Sequence, residues 1–127
     1  MQRTALCLIA LAAAGLPAGP GFAHHSLTMF DFSRTVTVQG VVRSFDWANP
    51  HTSIVLVGSG REGQTETWFI EGQSPSYLAR HGWTRRTIAP GDKITIQIYP
   101  LKAGGTAGHF HSLLLPNGQT LLQQPLN

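Results

Sequence analysis

The chain has one cysteine among 127 residues, and that residue, Cys7, sits inside the most apolar stretch of the sequence. If that stretch is removed on export, the remaining chain holds no thiol, which excludes disulfides and thiolate metal sites. The longest apolar run, Ala5 to Leu16, is shorter than the ~20 residues a membrane-spanning helix requires. Charge is scarce: only 12% of residues carry it, and Arg34, Arg43, Arg61, Arg80, Arg85, Arg86, Lys93 and Lys102 are scattered with no basic block. No phosphate-tracking groove is expected from that pattern, so nucleic acid is not an expected partner. Asp31, Asp46, Glu62, Glu66, Glu71 and Asp92 stand well apart, and no pair has a spacing that suggests acid/base work. A nucleophile elbow is missing, and the glycine-rich "KAGGTAGH" lacks the following helix of a phosphate-cradling loop. Nothing demands an enzyme, and none is expected.

What is present at the start is a leader. A lone Arg3, the apolar run and a Pro/Gly-rich end closing on Gly21-Phe22-Ala23 have the layout of a secretory signal peptide over residues 1–23. Cleavage after Ala23 leaves a chain that begins His24-His25-Ser26, while a cut after Ala14 is the alternative. Removal of Arg3 takes the net charge from +3 to +2. The remainder is expected in the periplasm, with no stable membrane insertion once the leader is gone.

Residues 24–127 are few enough for one domain, and fourteen glycines and eight prolines imply many turns. "RTVTVQGVVRSFDWANPH" reads as one long strand, with Gly40 as its expected bulge and Asn49-Pro50 as its end. "TSIVLVGSG" and "TETWFIEG" continue a meander, the latter with Trp68 and Ile70 on one face. "GQSPSYLARHGW" is a short helix, with Ser74 as N-cap, Pro75 at the first helical position and Gly82 past its end. "PGDKITIQIYPL" supplies a strand in which Ile94, Ile96 and Ile98 alternate with polar residues, and "KAGGTAGHFHSLLL" supplies loop and fifth strand. Asn117-Gly118 between apolar runs is a hairpin signal that adds a sixth strand. Five strands with one helix between the third and fourth is the order of an OB-fold-like barrel, an all-β architecture, with a plain sandwich as the alternative. Residues 24–33 form an arm that Met29, Phe30 and Phe32 are expected to pin to the barrel. Trp47, Trp68 and Trp83 are read as core or rim packing, with a stacking platform as the minority reading.

Six histidines are the oddest feature of so small a chain. Five fall in three places: His24 and His25 at the expected new N-terminus, His51 after the first strand, and His109 and His111 at the start of the fifth. Histidines two apart on a strand face the same way, which lets His109 and His111 chelate together with Phe110 turned aside. His51 stands at the far end of the first strand. Imidazoles and a free amine suit copper, zinc or nickel, and with no thiolate present copper(II) wins in a nitrogen-rich site, zinc being the alternative. The competing reading keeps these histidines as surface or turn residues without metal. His81 ends the helix and carries no assigned role.

Taken together, "AHHS", "MFD", "VQGVVRSFDWANPH", "ETWFIEGQSPSYLARHGW" and "PGDKITIQIYPL" resemble a family of small exported bacterial proteins known only as a domain of unknown function. The resemblance implies that His24, His25 and His51 belong to the family pattern, whereas the fifth-strand start varies. It implies no activity. An N-terminal histidine also resembles the histidine brace, in which the amine and imidazole of the first residue join a second histidine on copper, in carriers and in oxidative enzymes alike. Two expectations follow: a periplasmic metal carrier, sensor or buffer, or a metal-free module that docks onto an exported or envelope protein.

Overall fold

Residues 27–122 are described from a computed structural model of the chain. Residues 1–26, which include the expected leader and His24, His25 and Ser26 of the arm, and residues 123–127 lie outside them. Five strands make the barrel: β1 (Val36–Asp46), β2 (Ser53–Ser59), β3 (Thr65–Glu71), β4 (Lys93–Pro100) and β5 (Ala107–Leu114). One short helix, α1 (Pro75–Arg80), lies between β3 and β4, and β6 (Thr120–Leu122) follows β5. β1 pairs antiparallel with both β2 and β4, β2 with β3, and β4 with β5. Parallel pairing of Phe69–Glu71 with Ala107–His109 then shuts the ring. The result is the closed, OB-fold-like barrel, with β6 bonded to β5 outside it.

Period-two alternation decides which residues enter. Ile94, Ile96 and Ile98 are buried while Thr95 and Gln97 between them are only half covered. Val38, Val42, Ile54, Leu56, Trp68 and Ile70 meet them from the other strands. Leu78 from α1 and Trp83 just after it close the barrel end, with Trp83 set edge-on to Phe110 at 5.0 Å. Ser74 caps α1 by accepting from the Tyr77 backbone N–H at 3.3 Å. Trp47 packs half-buried on Phe45 at 5.8 Å, so all three tryptophans serve the core or its rim.

The expected bulge at Gly40 is in a different place. The β1–β2 register jumps between Val42 and Ser44, so Arg43 is the extra residue. Gly40 is required for another reason: a Cβ there would lie 2.5 Å from the Val57 carbonyl oxygen and 2.6 Å from Gly58 Cα. The two backbones approach too closely for any side chain. At the Asn117-Gly118 hairpin, Leu115 and Gln119 close the loop (2.9 Å), and Gly118 takes φ 85°, which glycine adopts without strain.

The arm meets the barrel beside the β4–β5 loop. Phe30 bridges to Leu101, the Asp31 N–H donates to the Pro100 carbonyl (2.8 Å), and the Lys102 N–H donates to that of Met29 (2.9 Å). Phe30 is the anchor, only 3% exposed, while Met29 and Phe32 stay 40% and 45% exposed.

Candidate functional site

Closure of the barrel assembles a site that chain order conceals. The β1–β2 turn delivers His51 next to the start of β2, and β2 pairs with the end of β3 at Ser53 and Glu71. The next pairing around the ring sets Glu71 against His109. His51 is therefore not remote from the fifth strand: His51, Glu71 and Gly108 line one groove of about 450 Å³ together with Phe30 from the arm. Its wall is apolar, formed by Val55, Phe69, Leu101 and Ala107, and Phe69 is 58% exposed.

His51 projects from a fixed corner. The neighbouring Thr52 is buried; its N–H and hydroxyl both donate to the Gln73 carbonyl (3.1 and 2.9 Å), and it accepts from the Gly72 N–H (2.8 Å). The Nδ1 of His51 lies 3.5 Å from Glu71 Oε1. A carboxylate beside Nδ1 favours the tautomer with hydrogen on that nitrogen and leaves the Nε2 lone pair for another partner. Glu71 was not marked by its sequence context, since it is isolated in the chain; only the β2–β3 register brings it to His51.

His109 is 1% exposed, under the rings of Phe30 (5.3 Å) and Phe32 (6.0 Å). It lies outside the barrel wall, opposite Tyr99 in the β4–β5 ladder. Burial pushes its pKa down to about 4, the charge on His51 pushes the same way, and a hydrogen bond with the Phe110 backbone opposes both. His109 is therefore a neutral imidazole at neutral pH. His111 is the extra residue where the β4–β5 register shifts, and its Nδ1 meets the Tyr99 hydroxyl at 3.2 Å. Phe110 turns inward onto Trp83, as expected for the middle residue. The two flanking imidazoles nevertheless have separate settings, one sealed by phenylalanines and one held by a tyrosine. His81 Nδ1 sits 2.8 Å from the Tyr77 carbonyl oxygen.

Among the described residues, no three His, Cys, Asp or Glu side chains gather into a metal-holding group. His24 and His25 lie outside those residues. The described part of the groove thus offers one free imidazole nitrogen, oriented by a carboxylate, at the edge of an apolar trough.

The sequence profile of one family matches residues 10–110, most of the chain. The chain belongs to DUF6152, a family of unknown function. The DUF6152 match takes in His24, His25, His51, Glu71 and His109 and stops just short of His111. No curated protein matches the chain.

Proposed function

We propose that this DUF6152 protein is a periplasmic transition-metal binder, a carrier, sensor or buffer, in which His24 at the processed N-terminus joins His51 on copper. What supports the reading is the placement of Phe30: it lines the same groove as His51. Five residues lie between His24 and Phe30, and Leu27–Met29 among them form a 3-10 turn that rises about 2 Å per residue, so His24 reaches up to ~16 Å from Phe30. The amine and imidazole of His24 would supply two nitrogens and His51 Nε2 a third, a donor set that favours copper(II), with zinc next. Glu71 holds His51 in place and offsets the metal's charge. His25 is available as a further ligand, whereas His109, sealed beneath Phe30, and His111, paired with Tyr99, are spared that role.

Native mass spectrometry of protein recovered from the periplasm, with and without one equivalent of copper(II), tests this directly. The expected species begins at His24 and retains one copper. His51→Ala should lose it, and Glu71→Gln should weaken it by about 10- to 100-fold. A chain that begins at His24 and stays bare would remove the proposal. The exposed Phe69 in the apolar trough favours a second reading, docking onto an exported protein without metal; a stable partner that still co-purifies with the His24→Ala and His51→Ala variants would select it.

A further inference from the structure

The scattered basic residues acquire a pattern once the chain is folded. α1 ends at Arg80, and Trp83 just beyond it packs against Phe45 of β1 at 6.2 Å. The turn Thr84–Thr87, closed by the Thr87 N–H on the Thr84 carbonyl (3.0 Å), carries Arg85 and Arg86 at its tip. The chain then docks on β1 through two hydrogen bonds, Gly91 N–H to the Val42 carbonyl (2.8 Å) and Val42 N–H to the Asp92 carbonyl (2.9 Å). That junction lies beside the bulged Arg43 and beside Lys93, which pairs with Val41. Five of the eight Lys and Arg beyond the leader thus lie at one end of the barrel, and all five are exposed.

Their charge is only partly offset: with Asp46 and Asp92 nearby, the cap keeps a net charge of +3. Among the described residues no carboxylate forms an ion pair with any of the five. Of the nearby acids, Asp92 accepts from the Ala89 N–H (2.9 Å) and Asp46 faces the Ser53 hydroxyl (3.5 Å). At the opposite end Arg34 is neutralised by Asp31 at 3.0 Å. Among the described residues two large exposed apolar side chains border this cap, Val41 paired with Lys93 and Leu114 paired with Thr95, while Leu27, Met29 and Phe32 lie on the arm and Phe69 on β3. A protein interface needs buried apolar anchors at its centre, whereas Val41 and Leu114 stand at the border of this face. A plane of anionic headgroups needs none, and guanidinium forks match phosphate oxygens in pairs.

We propose that the Arg43, Arg80, Arg85, Arg86 and Lys93 cap adsorbs the protein onto an anionic phospholipid surface. Attachment is peripheral and independent of any metal. Each arginine contributes roughly five-fold in affinity, so Arg85→Ser with Arg86→Ser weakens adsorption about 30-fold.

The test is co-sedimentation of the exported protein with vesicles of phosphatidylcholine alone or mixed with phosphatidylglycerol. Binding is expected only to the mixed vesicles, falling with added salt as the charges are screened. The double arginine variant should lose it, while Arg34→Ser with Lys102→Ser, an equal loss of charge at the other end, should retain it. Circular dichroism of both variants verifies that each is folded. Absence of binding to the mixed vesicles, equal binding to both vesicle types, or equal loss in both variants would overturn the proposal. So would retention on an immobilised acidic protein without vesicle binding.

Discussion

Replacing His109 with phenylalanine should flatten the acid dependence of stability. In the unfolded chain His109 titrates near its ordinary 6.5, whereas in the folded protein burial under Phe30 and Phe32 holds it down to about 4. Between those values the unfolded chain binds a proton that the folded one refuses. The stabilisation is therefore complete above pH 6.5 and drains away as pH falls towards 4, at about 1.4 kcal/mol per pH unit. Across the whole window the loss is about 3 kcal/mol, a large share of the 5–15 kcal/mol that holds a typical domain together. Carboxylates titrate in the lower part of the window, but they do so in wild type and variant alike, so the difference between the two proteins isolates His109. Urea unfolding followed by tryptophan fluorescence at pH 7, 6, 5 and 4.5 measures it, since Trp68 and Trp83 are both buried. Wild type should lose stability steeply over this range, and His109→Phe should lose about 2.5 kcal/mol less, whatever its stability at neutral pH. Parallel declines in the two proteins would show that His109 titrates normally and that its aromatic cover admits water.

Two further outcomes test the packing. Gly40→Ala drives a methyl group into the Val57 carbonyl and Gly58 Cα, so β1 and β2 must separate locally; a loss of about 2 kcal/mol and a Tm lower by roughly 10 °C are expected by thermal denaturation, and an unchanged Tm would refute the close approach. Phe30→Ala should cost about 3 kcal/mol for the lost ring and, by uncovering His109, raise its pKa from about 4 back towards 6.5 in an NMR titration; a pKa that stays low would place the burial elsewhere.

Much of the barrel is legible in the chain because its signals are local. The alternation of Ile94, Ile96 and Ile98, the Ser74-Pro75 start of α1 and the Asn117-Gly118 hairpin each encode their own geometry within a few residues. Gly40 shows the limit of such signals. Glycine inside a strand marks either a bulge or a close backbone approach, and the choice depends on Gly58, eighteen residues away and on another strand. Candidate-site residues follow the same division. His51 stands out by type and by the turn before it, but its partner Glu71 is visible only through the β2–β3 register. His109 and His111 look equivalent in sequence; the β4–β5 register shift and the arm's phenylalanines make them different.

The pairing that closes the barrel is its shortest in the ring, three residue pairs between β3 and β5 against six or seven along each neighbouring ladder. It joins segments nearly forty residues apart, and the β1–β4 ladder joins segments more than fifty apart, so both pairings depend on the local meander to shorten the loops they close. The same brevity makes this junction the natural place for the native barrel to breathe. Glu71 and His109 face each other across it. An opening there exposes the backbone of residues 107–109 to water, while Glu71 keeps its pairing with Ser53 of β2 and its contact with His51. Slow hydrogen exchange in β1 and β4 and faster exchange at residues 69–71 and 107–109 would be the record of that motion.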